Sequence, residues 1–362
     1  MIKEIEIKHE RIKKYLKEKN LDGIILRRSS NFSWFTAGGK NYVGLNSEEG
    51  ASSLVITQNK IFLLANNIEA PRISDEEVLG INLEKIILPW YEDEKLIEEA
   101  KKIIGTKIAA DVPINGCLYA DLNPLHFPLT QEEIKRYKEL GSTSVKIISE
   151  VCEKINPGMT EVEIAGMVSD KFWEKDIVPV VILIAVDDRI EKYRHPLPTL
   201  KTLKNYAMIV VCTRKYGLIA SLTRLVGFGK ISDILKKKHQ AVCNVDAIFI
   251  SESIPNNNLN NIFKKSVESY NKNGFENEWK MHHQGGPTAY QTRYYRVNFE
   301  TKSIVEPNQA YAWNPSISGT KSEDTIITTD SEPIIITEDP KWPKKEIAVN
   351  GKIILRPDIL IR

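Results

Sequence analysis

Apolar positions along this chain follow two alternating periods. Near the start, Ile5, His9, Ile12, Tyr15 and Leu16 fall at helical spacing, and positions 94–104 repeat that amphipathic pattern. Between them, positions 21–26, 51–57, 60–65 and 83–88 are short runs rich in Ile, Leu and Val, which predict strands. Helix, strands and a second helix in that order predict a small α/β domain. From 111 to 130 the periodicity lapses around Pro113, Pro124 and Pro128, which marks a connection. The expected domains are therefore 1–127 and 128–362.

The second part opens on Thr130 with Glu133 three residues later, a capping signature for a long helix that runs to about position 154. Pro157-Gly158 breaks it, and Thr160 with Glu163 starts another helix in the same way. Strands are expected at 178–186 and 206–226, followed by two helices within 232–274 and a strand-rich end. Helix pairs followed by strands thus occur twice.

Composition narrows the function classes. Of 362 residues, 42% are hydrophobic and 27% charged, as in an ordinary globular protein with a packed interior. The formal charge of +2 supplies no overall field to hold a polyanion, so no nucleic-acid partner is implied. The longest apolar run, 178–186, falls far short of the roughly 20 residues that cross a bilayer. No membrane association is expected. The first twenty residues mix both charge signs and lack a secretory pattern, and the expected compartment is the cytoplasm. Cys117, Cys152, Cys212 and Cys243 are widely spaced and read as reduced, buried thiols.

Several motifs then occur in a meaningful order. Pro157-Gly158-Met159-Thr160-Glu161 is followed by an apolar strand and Tyr193-Arg194-His195-Pro196-Leu197-Pro198-Thr199. Next come Gly217-Leu218-Ile219-Ala220-Ser221-Leu222-Thr223-Arg224, His282-His283-Gln284-Gly285-Gly286, Asn314-Pro315 and Ser322-Glu323-Asp324-Thr325. In order and spacing this set resembles the catalytic domain of the creatinase/aminopeptidase ("pita-bread", peptidase M24) family. The stretches Leu21-Asp22-Gly23-Ile24-Ile25-Leu26 and Asn31-Phe32-Ser33-Trp34-Phe35-Thr36-Ala37-Gly38 resemble the domain that precedes it there. The resemblance implies an α/β (α+β) fold, with a creatinase-like N-terminal domain and a C-terminal domain of pseudo-twofold helix pairs over a curved antiparallel sheet. It also implies a homodimer, in which the loop 34–42 reaches toward a partner's site with Lys40 or Asn41 near substrate.

In metal-dependent members two divalent ions share two Asp, one His and two Glu, and the bridged water becomes the nucleophile. Matched residue by residue, the first Asp falls at about Val210, the second at Ser221 and the first Glu at Asn314. His283 and Glu323 alone stand where ligands are implied. One carboxylate and one imidazole cannot balance about four positive charges, so no cofactor is expected, with low-affinity binding of one divalent metal left open. Asp324 is a poor substitute, because neighbours on a strand face opposite ways. Asp187 and Asp188 read as charged turn residues at a strand end.

The metal-free creatinase branch uses the same cavity differently. By that resemblance His195 moves protons, and a carboxylate at Glu323 binds a cationic group of the substrate; an imidazole is suited to the first task by its pKa near 6.5. Creatinase has a Glu where Thr223 stands, which argues against creatine. The expected catalytic residues are His195, His283 and Glu323, and the expected substrate-binding residues are Arg224, Asn314, His282, Thr223 and Ser221. Arg224 reads equally well as a structural ion pair. Tyr290, Arg293 and Trp313 are further candidates for the pocket wall. The paired glycines 285 and 286 read either as close approach to a ligand or as a turn.

Three functions are compatible with this pattern. One is a metal-independent hydrolase of a C–N bond in a small polar molecule. The second is a metallopeptidase for Xaa-Pro bonds, acting on short peptides. The third is a binding protein of the same fold with no chemistry.

Overall fold

A computed structural model describes residues 2–362. The chain forms two compact units, Met1–Glu133 with Tyr216–Leu218, and Ile134–Lys215 with Ile219–Arg362. In the first unit, helix α1 (Ile2–Lys19) buries Ile5, Ile12 and Leu16, the stripe its sequence spacing predicts. Strands β1 (Gly23–Arg28), β2 (Glu49–Thr57), β3 (Ile61–Asn66), β4 (Glu84–Leu88), β5 (Ile108–Ala110) and β6 (Leu118–Tyr119) form one sheet in the order β4-β3-β2-β1-β5-β6. Ile25, Val55, Phe62 and Leu64 pack from this sheet against Ala100 of helix α2 (Leu96–Ile104).

Lys8 lies on the buried face of α1, its ammonium 2.6 Å from Glu4 and 2.9 Å from Glu133, so the cation is paired rather than stranded. Trp34 and Phe35 are fully buried. Asn41 is also buried, and its amide donates to the carbonyls of Arg27 at 3.1 Å and Ser52 at 2.9 Å. Its hydrogen bonds therefore serve the fold of this unit.

In the second unit, helix α3 (Gln131–Lys154) is followed by α4 (Glu161–Trp173), whose first turn closes the expected capping box. The Glu163 N–H donates to the Thr160 hydroxyl, and the Thr160 N–H donates to the Glu163 carboxylate at 2.7 Å. Strands β7 (Val178–Val186), β8 (Tyr206–Lys215) and β9 (Leu218–Gly227) follow. Strands β8 and β9 join in a tight turn where Tyr216 and Gly217 both take positive φ, 55° and 74°, as a two-residue hairpin turn requires. Asp187 closes the end of β7, its carboxylate accepting from the backbone N–H groups of Lys204, Asn205 and Tyr206. Asp188 pairs with Lys192 and Lys201. Both aspartates are structural.

The helix-pair pattern then repeats with α5 (Asp233–Glu252) and α6 (Leu259–Lys272), followed by β10 (Gly285–Thr288), β11 (Ala310–Trp313), β12 (Ser316–Ile317), β13 (Thr320–Lys321) and β14 (Asp324–Ile327). Strands β10, β11 and β14 are antiparallel neighbours. Phe249 of α5 stacks on Trp313 at 4.5 Å, and Tyr311 stacks on it at 5.3 Å, so Trp313 belongs to the core and not to a pocket wall. Strands β9 and β14 are stitched together where the Ser221 N–H donates to the Thr325 hydroxyl at 2.7 Å and the Thr223 N–H donates to the Glu323 carbonyl at 3.1 Å. This junction sets Thr223 beside Glu323.

The paired glycines are explained by backbone packing. Gly285 has φ +105°, and a Cβ there would sit 2.2 Å from the Ala312 carbonyl oxygen on β11. Gly158 also has positive φ, at +100°, but open space around it. Gly158→Ala should therefore cost about 1 kcal/mol, the strain of its φ alone, whereas Gly285→Ala should cost more than about 2 kcal/mol. Denaturant unfolding of the two variants checks this, and equal costs would contradict the assignment.

Candidate active site

A cavity of about 710 Å³ opens in the second unit, within the size range of small-molecule sites. Its wall includes Val181 and Leu183 of β7, Val210 and Cys212 of β8, His195, His283, Asn314, Lys321, Glu323 and the segment 292–296. Val210 lies opposite Leu183 in the β7–β8 register, so the wall is hydrocarbon where the family resemblance would put the first Asp.

Glu323 is 2% exposed, and each of its oxygens is occupied. Lys321 Nζ is 2.8 Å from Oε2, which also accepts from the Thr223 hydroxyl at 2.7 Å. Arg293 reaches Oε1 at 3.3 Å. Burial alone would raise this carboxyl's pKa, but Lys321 and Arg293, together with the hydrogen bonds, outweigh it and hold the group below the usual carboxylate range.

Three imidazoles stand together in the same unit. His195 and His282 are within hydrogen-bond distance through their Nε2 atoms, 3.0 Å apart, and His283 stacks on His282 at 4.3 Å. Burial lowers the pKa of all three, and Lys321 adds to the effect in each case. For His283 the value falls to about 3, through burial first and then Arg293, Arg296 and Lys321, with Glu323 opposing. At neutral pH these rings are uncharged, the form a proton acceptor needs, and the same shift makes them weaker bases than a free imidazole.

His195, His283, Glu323 and Asn314 thus share one cavity. His282 is buried behind His195 and holds it. Ser221 and Thr223 are buried and do not line the wall; the Ser221 hydroxyl turns to Cys212 at 3.2 Å, and Thr223 serves Glu323. Tyr290 is buried as well and does not line the wall. Arg224 is corrected from substrate binder to structural group, because it is 2% exposed and bonded to Asp324 at 3.0 Å and to the carbonyls of Thr223 and Thr337, both at 2.7 Å. Asp324 is held on that same side by Arg356 at 2.7 Å, facing away from its neighbour Glu323 as strand geometry expects.

Lys321 and Arg296 escaped the sequence reading, although Lys321 carries a signal. It lies two residues before Glu323, and alternate residues of an extended segment share a face. Cys212 is on the wall, but burial, then Glu323, raises its thiol pKa, so it is no thiolate nucleophile.

The residues present do not fit a pair of divalent ions. The positions implied for three carboxylates hold Val210, Ser221 and Asn314, and the remaining carboxylate is saturated by two side-chain cations and a hydroxyl. A different donor set exists in His195, His282 and His283, each of which offers a ring nitrogen within 4.8 Å of the other two; three imidazoles can hold one ion such as zinc.

The profile of metallopeptidase family M24 matches residues 135–330. No curated protein sequence matches the chain. Among solved structures, the fold is similar to the Xaa-Pro dipeptidase from Bacillus anthracis, with a TM-score of 0.78, 16% identity, and coverage of 99% of this chain and 100% of that one. It is also similar to the X-Pro aminopeptidase from Thermotoga maritima, with a TM-score of 0.76, 15% identity, and coverage of 98% and 99%. The N-terminal domain of FACT complex subunit SPT16 from Cicer arietinum has a TM-score of 0.68 at 12% identity, with coverage of 92% and 96%.

Neutral His283 has a direct consequence for stability. In the unfolded chain it binds a proton near pH 6.5, but in the folded protein only near pH 3. Between those values the unfolded state holds more protons, so stability present above pH 6.5 is lost as pH falls toward 3. Unfolding free energy measured across that window should fall less in His283→Asn than in the parent, by at least about 1 kcal/mol. Parallel pH profiles would show that His283 is not held neutral.

Proposed function

This chain belongs to metallopeptidase family M24, and from that premise we propose that it is a hydrolase that cleaves a C–N bond in a small polar substrate by imidazole acid–base chemistry, without the dinuclear centre. The observation that carries this reading is the state of Glu323. Its oxygens already accept from Lys321, Arg293 and Thr223, while neutral imidazoles border the same cavity.

In this reading His195 takes a proton from a water molecule as the water oxygen attacks the carbon of the C–N bond. The resulting imidazolium returns that proton to the departing nitrogen, and the C–N bond breaks. His282 fixes the ring and tautomer of His195 through the Nε2–Nε2 bond. Asn314 orients the polar part of the substrate, because its buried Oδ1 has no hydrogen-bond partner among the described residues and can accept from an N–H group. Val181, Leu183 and Val210 give one side of the cavity an apolar wall.

The three-imidazole cluster favours a second reading, a peptidase for Xaa-Pro substrates that works with one ion held by His195, His282 and His283. The names of the similar structures, an Xaa-Pro dipeptidase and an X-Pro aminopeptidase, support that substrate class.

Two measurements separate these readings. Amidines, ureides and cyclic amides screened in excess EDTA should yield a substrate whose turnover drops at least about a hundredfold in His195→Ala; turnover that is absent, or indifferent to the substitution, removes the first reading. Protein purified without chelator should contain well under one equivalent of Mn, Co, Zn or Fe by elemental analysis. A stoichiometric metal, lost in His282→Ala, establishes the second reading instead.

A further inference from the structure

The carboxylate cage implied by the resemblance would make this cavity negative, but its charge here has the opposite sign. The wall carries Arg293, Arg296 and Lys321 against a single acid, Glu323, and the imidazoles add no negative charge. Lys321 and Arg293 share that one carboxylate, so between them one positive charge is uncompensated. Arg296 is exposed on the wall and has no hydrogen bond or ion pair among the described residues. Arg293 also keeps a buried Nε–H without a hydrogen-bond acceptor. The free guanidinium of Arg296 and the partly neutralised ammonium of Lys321 line one water-accessible space with Arg293, and such donors bind anionic oxygens more strongly than neutral ones.

We propose that Lys321, Arg293 and Arg296 form an anion site, which takes a carboxylate or phosphate group of the ligand where the family resemblance would place cations. Glu323 anchors Lys321 and Arg293 and keeps the ammonium in place without cancelling the local charge. As a statement of substrate class this rests on the cavity being the reaction site, but binding itself requires no turnover. The anion would sit beside His283 and Asn314, with its negative charge near the cations and the rest of the ligand toward Asn314 Oδ1.

Two probes separate the two sources of negative charge. Inorganic phosphate and acetate are titrated calorimetrically into the full chain in EDTA at neutral pH, and the tighter of the two names the phosphoryl or the carboxylate class. Lys321→Met should weaken the preferred anion by about tenfold and Arg296→Gln by a few-fold, whereas Lys236→Gln on the exposed face of α5 should leave it unchanged. Should Lys321→Met fail to fold because Glu323 loses a partner, Arg296→Gln carries the test alone, since that side chain supports nothing else in the fold. The proposal is overturned if neither anion binds the parent protein, or if the preferred anion binds Arg296→Gln as tightly as the parent. It is equally overturned if Lys236→Gln weakens binding as much as the cavity variants. The chelation experiment above can fail without touching this result, because anion binding is read without a reaction.

Discussion

Glu323 sets the terms for the catalytic-type unit. A carboxylate that is 2% exposed loses most of its hydration and remains ionised only if nearby donors replace water. Three donors do so, and each comes from a different part of the chain. Thr223 is delivered by the junction of β9 with β14, Lys321 by the end of β13, and Arg293 by the segment after β10. Two strands and one loop therefore have to meet at this position for the charge to be tolerated. Removing any one donor leaves part of a buried anion exposed to low dielectric, which is more costly than never having placed it there.

The adjacent residue repeats the logic on the other face. Asp324 meets Arg224 and Arg356, and Arg356 also meets Asp246 at 2.6 Å. The Ser322 hydroxyl donates to Asp246 as well. One extended segment therefore places alternate side chains in two separate networks. Residues 321 and 323 face the cavity, and 322 and 324 face the interior. A charged residue of the resembling motif, Arg224, falls into the interior network for this reason, and its role in the fold is to neutralise Asp324.

Electrostatics on the cavity side also governs the imidazoles. Burial disfavours the charged ring, and the nearby cations add to that effect, so His195, His282 and His283 remain uncharged at neutral pH. Lys321, which pairs with Glu323, lowers the pKa of all three, so it helps keep the rings uncharged while making each a weaker base than a free imidazole. The proposed acid–base chemistry and the proposed anion site therefore rest on one arrangement of charges.

The sequence by itself determined the family and the order of elements, because these rest on local signals. The capping residue Thr160, the periodicity of α1 and the ordered motifs from Pro157 to Thr325 are all readable one segment at a time. It also supplied His195, His283, Asn314 and Glu323 as cavity residues. It could not separate Arg224 from Arg293 and Arg296, since an arginine's role depends on which carboxylate or open space lies within reach, and those partners are distant in the chain. Nor could it reveal that Gly285 is required by the approach of β11, or that Trp313 is covered by Phe249 and Tyr311. Only the tertiary structure decided the sign of the cavity's charge, because that sign is a sum over Lys321 at the end of β13, Glu323 just after it, and Arg293 and Arg296 of the segment after β10, brought to one wall.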